Sequence, residues 1–264
     1  MPSASERLLE HAAGDLTATA EAGLRLSALQ EAVARHGQML ALDPPGDPML
    51  GAVVADNLSG PRRHRYGGPR DLLIGITVVL ADGTIARAGG KVVKNVAGYD
   101  LGKLFCGSRG RLGRIAEVTV RLHPLPAAAH TLVVEASSPA EAERLAQAVH
   151  RSTLVPSAVD LLWPGRLALL FEGGVRAVES QLAEARGLLG GEEDASVWDE
   201  VAARQLAARG RLSFSPGELR ATLERTAEAV VRVGAGTAYV PDEVEDDVPD
   251  GVARLRERVR AEFA

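Results

Sequence analysis

The chain has 264 residues, is 46% apolar and 25% charged, and carries a formal net charge of −5, the profile of a globular protein with one large or two ordinary domains. Only 3% of residues are aromatic and one is a cysteine, which leaves little stacking surface for single-stranded nucleic acid and excludes an internal disulfide framework. No run approaches the roughly 20 apolar residues that span a bilayer, and the N-terminus has no apolar stretch of signal-peptide length, so a reduced cytoplasmic setting is the default.

Residues 15–23 (DLTATAEAG) alternate and end in glycine, reading as a strand. Leu26 to His36 is an amphipathic helix with Ser27 as candidate N-cap and Gly37 as its stop. PPGDP (44–48) is a turn, and Leu72 to Leu80 is a near-continuous apolar strand. Ala81-Asp82-Gly83-Thr84 turns it into the returning TIARA segment. Asp100 caps a short helix to Phe105, and Ile115 to Leu122 is an alternating strand closed by His123-Pro124.

Glycine density falls after Pro126, where a domain boundary is placed. Thr131 to Ala136 is a strand. Ser138-Pro139-Ala140-Glu141 opens a helix to about His150, with Ser138 as N-cap and proline at the first helical position. Strands 157–162 and 167–171 flank a Trp163-Pro164-Gly165 turn, and a helix covers 175–189. A short strand at 212–215, a helix at 216–225, strands at 228–233 and 237–240, and a basic helix at 252–263 complete the chain. The β-α-β-β-α-β order predicts a ferredoxin-like layer. PDEVEDDVPD (241–250) reads as a solvated acidic loop.

The region before Pro126 carries the chemistry. Of 28 glycines, 14 lie between Gly46 and Gly113. From Gly60 to His123 there are twelve Lys or Arg against four Asp or Glu. Bare amides beside positive charge suit a phosphate-bearing ligand. Gly107–Gly113 precedes a strand, whereas a Rossmann fingerprint follows one and opens a helix, so a NAD-type site is rejected. Alone, the loop reads either as a turn meeting a cofactor or as a plain glycine-rich loop. Arg62, Arg63, His64 and Arg65 read either as an anion contact or as a solvated cluster, and Lys94-Asn95-Val96-Ala97-Gly98-Tyr99-Asp100 as ligand contact or structure. Cys106 reads as a buried inert thiol. The six histidines form no spaced ligand set, so no metal site is expected, and no serine-hydrolase or P-loop motif occurs.

Three strings together resemble a known family: DLTATAEAG, the run from GQMLALDPPGDPMLGAVV through KVVKNVAGYDLGKL, and GSRGRLGRIAEVTVRLHP. They are similar to the FAD-binding (E-type) subunits of glycolate oxidase and, more broadly, to flavoproteins with the vanillyl-alcohol-oxidase or PCMH-type FAD domain. The similarity runs from about Asp15 to Pro126, with VRVGAGTAYV (231–240) resembling a strand of the family's cap domain.

The resemblance implies an α+β protein with a PCMH-type FAD-binding domain over 1–126 and a ferredoxin-like cap over 127–264. It implies flavin contacts at Gly51, Ala52, Val53, Asn57, Ser59, Gly60, Gly107, Ser108, Gly110, Leu112, Gly113 and Ile115, with Arg62 and Lys94 facing a substrate carboxylate. Here Met49 and Ala52 replace the family's Thr and second Gly. The family's Arg-Gly-Gly-Gly-Thr pyrophosphate loop has no counterpart before Asp15, where Gly14 is the sole glycine, so the first FAD subdomain is expected to be truncated and the second mostly retained. The implied function is FAD-mediated oxidation of glycolate or another 2-hydroxy acid. Partners would be a sister flavin subunit and an iron–sulfur subunit, with neither nucleic acid nor a transmembrane segment, and any attachment to the inner membrane would come through those partners. The alternative is a non-catalytic assembly subunit that has lost FAD. No catalytic base is assigned.

Overall fold

The computed structural model describes residues 6–90, 101–244 and 257–258. Its contacts divide the chain into two compact units. One holds residues 6–59 and 67–125; the other holds 60–66 and 126–244. The predicted helices at 100–105 and 252–263 lie in part or almost wholly outside the described residues, as do Lys94 and the string around it.

The first unit begins with β1 (Leu8–Ala12) and β2 (Thr17–Glu21), then α1 (Leu26–Ala34), β3 (Gln38–Met39) and α2 (Leu50–Ala55). The short α3 (Arg63–Tyr66) counts with the second unit, and α4 (Pro69–Leu72) follows it. Then come β4 (Leu73–Val79), β5 (Ile85–Gly89), α5 (Leu101–Phe105), β6 (Arg114–Arg121) and β7 (His123–Pro124). Five strands form an antiparallel sheet in the order β1-β2-β6-β4-β5, and β3 pairs with β7. Leu29 and Val33, four apart on α1, are fully buried, as one apolar stripe of a helix must be.

Ser27 is not the cap of α1. The helix starts one residue earlier, and Ser27 instead donates its N–H to Asp47 Oδ1 (2.8 Å) and its hydroxyl to Oδ2 (2.9 Å). A carboxylate from a distant turn thus takes the orphan donors that the local serine was expected to serve. The tip of the β4–β5 hairpin forms as expected, with Gly83 at φ +85° and the Thr84 N–H bound to Asp82 Oδ1 at 2.8 Å.

The second unit contains β8 (Ala128–Ala136), α6 (Pro139–Arg151), β9 (Ala158–Trp163), β10 (Gly165–Gly173), α7 (Val175–Leu189) and β11 (Glu192–Glu193). It continues with α8 (Val197–Ala207), β12 (Gly210–Ser213), α9 (Leu219–Glu224), β13 (Ala229–Arg232) and β14 (Thr237–Val240). Its antiparallel sheet runs β11-β8-β10-β9-β13-β14-β12. Within it, the run β8-α6-β9-β10-α7-β11 gives the strand order β11-β8-β10-β9, the ferredoxin-like arrangement expected from the β-α-β-β-α-β order, and β13, β14 and β12 extend the sheet beyond β9. At α6 the Ser138 hydroxyl accepts the Glu141 N–H at 3.2 Å, and the Glu141 carboxylate reaches back to the Ser137 N–H at 3.0 Å. Ala142, Leu145, Ala146 and Val149 form its buried stripe over Val159, Leu161 and Val231. The opposite sheet face is covered by α8 through Val197 and Val201, against Leu162, Ala168 and Val230.

Candidate functional site

Helix α2 begins by committing its amides. The Leu50 N–H donates to Leu24 O at 2.9 Å and the Gly51 N–H to Ala22 O at 2.7 Å. A Cβ on Gly51 would lie 2.9 Å from the Ala22 Cβ, so glycine is needed here to let the helix approach the end of β2. The Gly51 amide therefore serves packing, and Val53, buried, donates to Met49 O. No backbone carbonyl among the described residues takes the Ala52 N–H.

The loop after α5 is stapled to the other end of α2. The Gly107 N–H donates to Val54 O at 3.0 Å, the Arg109 N–H to Ala55 O at 2.8 Å, and the Cys106 thiol to Asn57 Oδ1 at 3.3 Å. Cys106 is half-buried rather than buried, because it lies in this loop and not in the core. Asn57 and Arg109 both adopt positive φ, +52° and +54°, which non-glycine residues take at a cost of about 1 kcal/mol or more. Gly113 is required for a different reason: its Cβ would fall 2.6 Å from Val79 O on β4. Gly110, at φ +71°, has no heavy atom within 4 Å of the point where a Cβ would lie, so its surroundings are open. Leu112 is buried and anchors the loop, and Ile115 pairs with Val78 in the β6–β4 ladder.

Two of the three segments expected to meet thus come together inside the first unit: the 51–57 segment and the 107–115 segment. Ser59 is buried at the edge of that unit, and Gly60 belongs to the second. Among the described residues, the donors available to a ligand include the Ala52 N–H and the Ser108 hydroxyl, and the backbone at Gly110 is open. The Ser108 hydroxyl is buried with no hydrogen-bond partner among the described residues. A buried orphan hydroxyl costs about 1–3 kcal/mol, and it fits a polar ligand that supplies the missing partner, while the amides of residues 106–109 and 111 are already taken by backbone carbonyls. These residues fit a flavin nucleotide, with fewer free amides than the glycine count suggests.

In the second unit Arg62 grips Glu172. Its Nε lies 3.2 Å from both carboxylate oxygens and Nη2 lies 2.7 Å from Oε1, while the Glu172 side chain is fully buried. Arg65 Nη1 donates to Glu172 O at 3.1 Å. The positive charge expected to meet a substrate carboxylate is thus opposed by a carboxylate of the chain itself. Glu172 was missed from sequence because it ends an apolar strand with no flanking signal. His64, beside Arg62, has its pKa lowered by burial of the ring.

Among the described residues no helix is long and apolar enough to cross a membrane, and no three His, Cys, Asp or Glu side chains cluster as a metal site.

Residues 3–89 match the family model for an FAD binding domain. The chain is 35% identical over 196 residues to glycolate oxidase subunit GlcE of Escherichia coli (strain K12), covering 73% of this chain and 54% of that protein. It is 35% identical over 158 residues to glycolate oxidase subunit GlcD of Bacillus subtilis (strain 168), covering 59% and 34%. It is also 35% identical over 156 residues to D-lactate dehydrogenase (cytochrome) 1, mitochondrial, of Saccharomyces cerevisiae (strain ATCC 204508 / S288c), covering 59% and 27%. The chain therefore spans about half or less of the length of these relatives. Among solved structures, alkyldihydroxyacetonephosphate synthase superposes with a TM-score of 0.68 at 14% identity, covering 98% of this chain and 61% of that one. That likeness shows an α+β fold, and together with the match of residues 3–89 to the FAD binding domain model the fold is of the PCMH-type FAD-binding kind. The resemblance read from the glycine-rich strings is borne out, and FAD is the cofactor indicated.

Proposed function

We propose, for a chain whose residues 3–89 match the family model for an FAD binding domain, that it is the FAD-holding subunit of a complex oxidising glycolate or a similar 2-hydroxy acid. Electrons would pass on to an iron–sulfur subunit, with a sister flavin subunit as the second partner. The observation that carries this reading is the loop 106–113 clamped to α2, with the Ser108 hydroxyl buried and unpartnered among the described residues, beside open Gly110.

Ser108, the Ala52 N–H and the backbone around Gly110 would hold the nucleotide. Rigidity comes from the Gly107–Val54 and Arg109–Ala55 hydrogen bonds, which fix two segments distant in sequence before any ligand arrives. When bound, a flavin supplies two-electron redox chemistry, with the 2-hydroxy acid as donor. Lys94 is the remaining candidate for the substrate carboxylate. Arg62 is assigned a positioning role, since a carboxylate at its guanidinium would compete with Glu172. Localisation is proposed as cytoplasmic, with any membrane association through partners.

The test is to purify the chain with its partner subunits, measure bound FAD released on denaturation, and look for anaerobic bleaching of the flavin by glycolate. Stoichiometric FAD in this chain supports the reading. A second reading, an assembly subunit without flavin, is favoured by the commitment of the Gly51 and Gly107 amides to backbone carbonyls. A complex that assembles and turns over with no flavin on this chain would establish it instead.

A further inference from the structure

The second unit contains a hollow of about 320 Å³ that the flavin reading does not use. Helix α6 supplies one wall through Glu143, Ala146, Gln147 and His150, whose spacing of three and four residues puts them on a single stripe. The floor is apolar, from Leu154, Val159 and Leu219. His64 closes one end, and a Cβ on Gly234 would overlap its ring. Glycine at 234 therefore makes room for the imidazole against the backbone.

Three features define what would fit. The volume lies at the lower end of the range for small-molecule sites and is too small for a helix, which is about 10 Å across. Among the described residues no Lys or Arg lines the hollow and Glu143 is its one carboxylate, so anions, including 2-hydroxy acids and nucleotides, are disfavoured. Arg220 on α9 feels the Glu143 charge, but its Nε is held by Glu224 at 2.9 Å. Burial lowers the pKa of His64, which keeps its ring from adding a competing positive charge at neutral pH.

We propose that this hollow is a binding site for a small primary amine with an apolar body. The ammonium would meet the Glu143 carboxylate and the Gln147 side-chain carbonyl, and the apolar body would lie over Leu154, Val159 and Leu219 beside His64. This site is independent of the flavin reading and takes a ligand of opposite charge to the proposed substrate.

The experiment titrates the full-length chain with benzylamine, benzyl alcohol and benzoate at matched ionic strength. It follows the His64 ring proton by NMR, assigned with His64→Asn, together with the melting temperature. Benzylamine should shift the His64 resonance and raise the melting temperature, benzyl alcohol should bind about tenfold more weakly through loss of the charge-assisted contact, and benzoate should do neither. Glu143→Gln should erase the advantage of the amine over the alcohol, and Ala146→Leu should fill the hollow and abolish the shift. If Ala146→Leu does not fold, the half-exposed Glu143→Gln variant carries the test. No His64 shift with benzylamine, equal binding of alcohol or benzoate, or an amine preference that survives Glu143→Gln would overturn the proposal.

Discussion

Asp160 on β9 and Arg232 on β13 are direct cross-strand partners, both almost fully buried, with Arg232 Nε 3.6 Å from Asp160 Oδ2. The guanidinium carbon stands 4.8 Å from the Tyr239 ring centroid, and Nη2 donates to Gln205 Oε1. Burying two charges costs several kcal/mol each, which their attraction offsets only when both are present. Arg232→Met should therefore destabilise the chain by about 3–5 kcal/mol, because it takes the cross-strand cation away from a buried carboxylate. The double change Arg232→Met with Asp160→Leu should cost much less than the sum of the single changes. Urea unfolding of the four proteins measures this, and additive single effects would mean the pair is not coupled.

The Arg62–Glu172 pair makes a parallel prediction with a kinetic arm. Arg62→Met leaves the fully buried Glu172 carboxylate without its bidentate partner, and should cost about 3–5 kcal/mol. Segment 60–66 should then become more sensitive to limited proteolysis. A substrate-binding Arg62 would instead raise KM for the 2-hydroxy acid while leaving urea stability unchanged, so the two measurements together separate the roles.

Asp47 should give a measurable acid limb. Its pKa is lowered, first by the Ser27 N–H and then by the Ser27 hydroxyl. Because the folded value lies below the unfolded one, the contribution is fully present above the unfolded pKa of about 3.9 and is lost as pH falls through the folded value. Asp47→Ala should cost about 0.5–2 kcal/mol at neutral pH by removing the acceptor for Ser27. Asp47→Asn keeps one acceptor oxygen, so it should cost less and flatten this part of the melting-temperature profile between neutral and strongly acidic pH.

The second unit was the more readable of the two, since its signals are local. Ser138, Pro139 and Glu141 sit within four positions of one another, and the alternating strands specify their own faces. Helix α8 was missed because its buried contribution is little more than Val197 and Val201. Helix α2 was missed because LGAVVA is too short and too uniformly apolar to show a helical period. The site was less legible for a different reason. Glycine marks close approach without saying to what: at Gly51 the neighbour is Ala22, at Gly113 it is Val79, and neither needs a ligand. Contacts such as Arg62–Glu172 join residues 110 positions apart, beyond any local pattern.

Gly51→Ala tests the packing account directly. The added methyl would sit 2.9 Å from the Ala22 Cβ and 3.1 Å from Ala22 O, and relief requires α2 to move off the end of β2. The cost should be about 1–3 kcal/mol, seen equally with and without FAD in urea unfolding. A loss confined to FAD retention, with unchanged stability of the flavin-free chain, would instead make Gly51 a ligand-facing glycine.

Ser108→Ala has opposite expected effects in the two states, which makes it the sharper probe of the flavin site. In the flavin-free chain the Ser108 hydroxyl is buried without a partner among the described residues, so deleting it removes a desolvation penalty and should stabilise the protein by about 1 kcal/mol. If the hydroxyl is held in reserve for a nucleotide, the same substitution removes a hydrogen bond from the complex, and FAD affinity should fall roughly five- to tenfold. Thermal melting with and without FAD reads both signs in one experiment. Stabilisation in both states would place the nucleotide away from this loop, and destabilisation of the flavin-free chain would mean that the hydroxyl already has a partner within the fold.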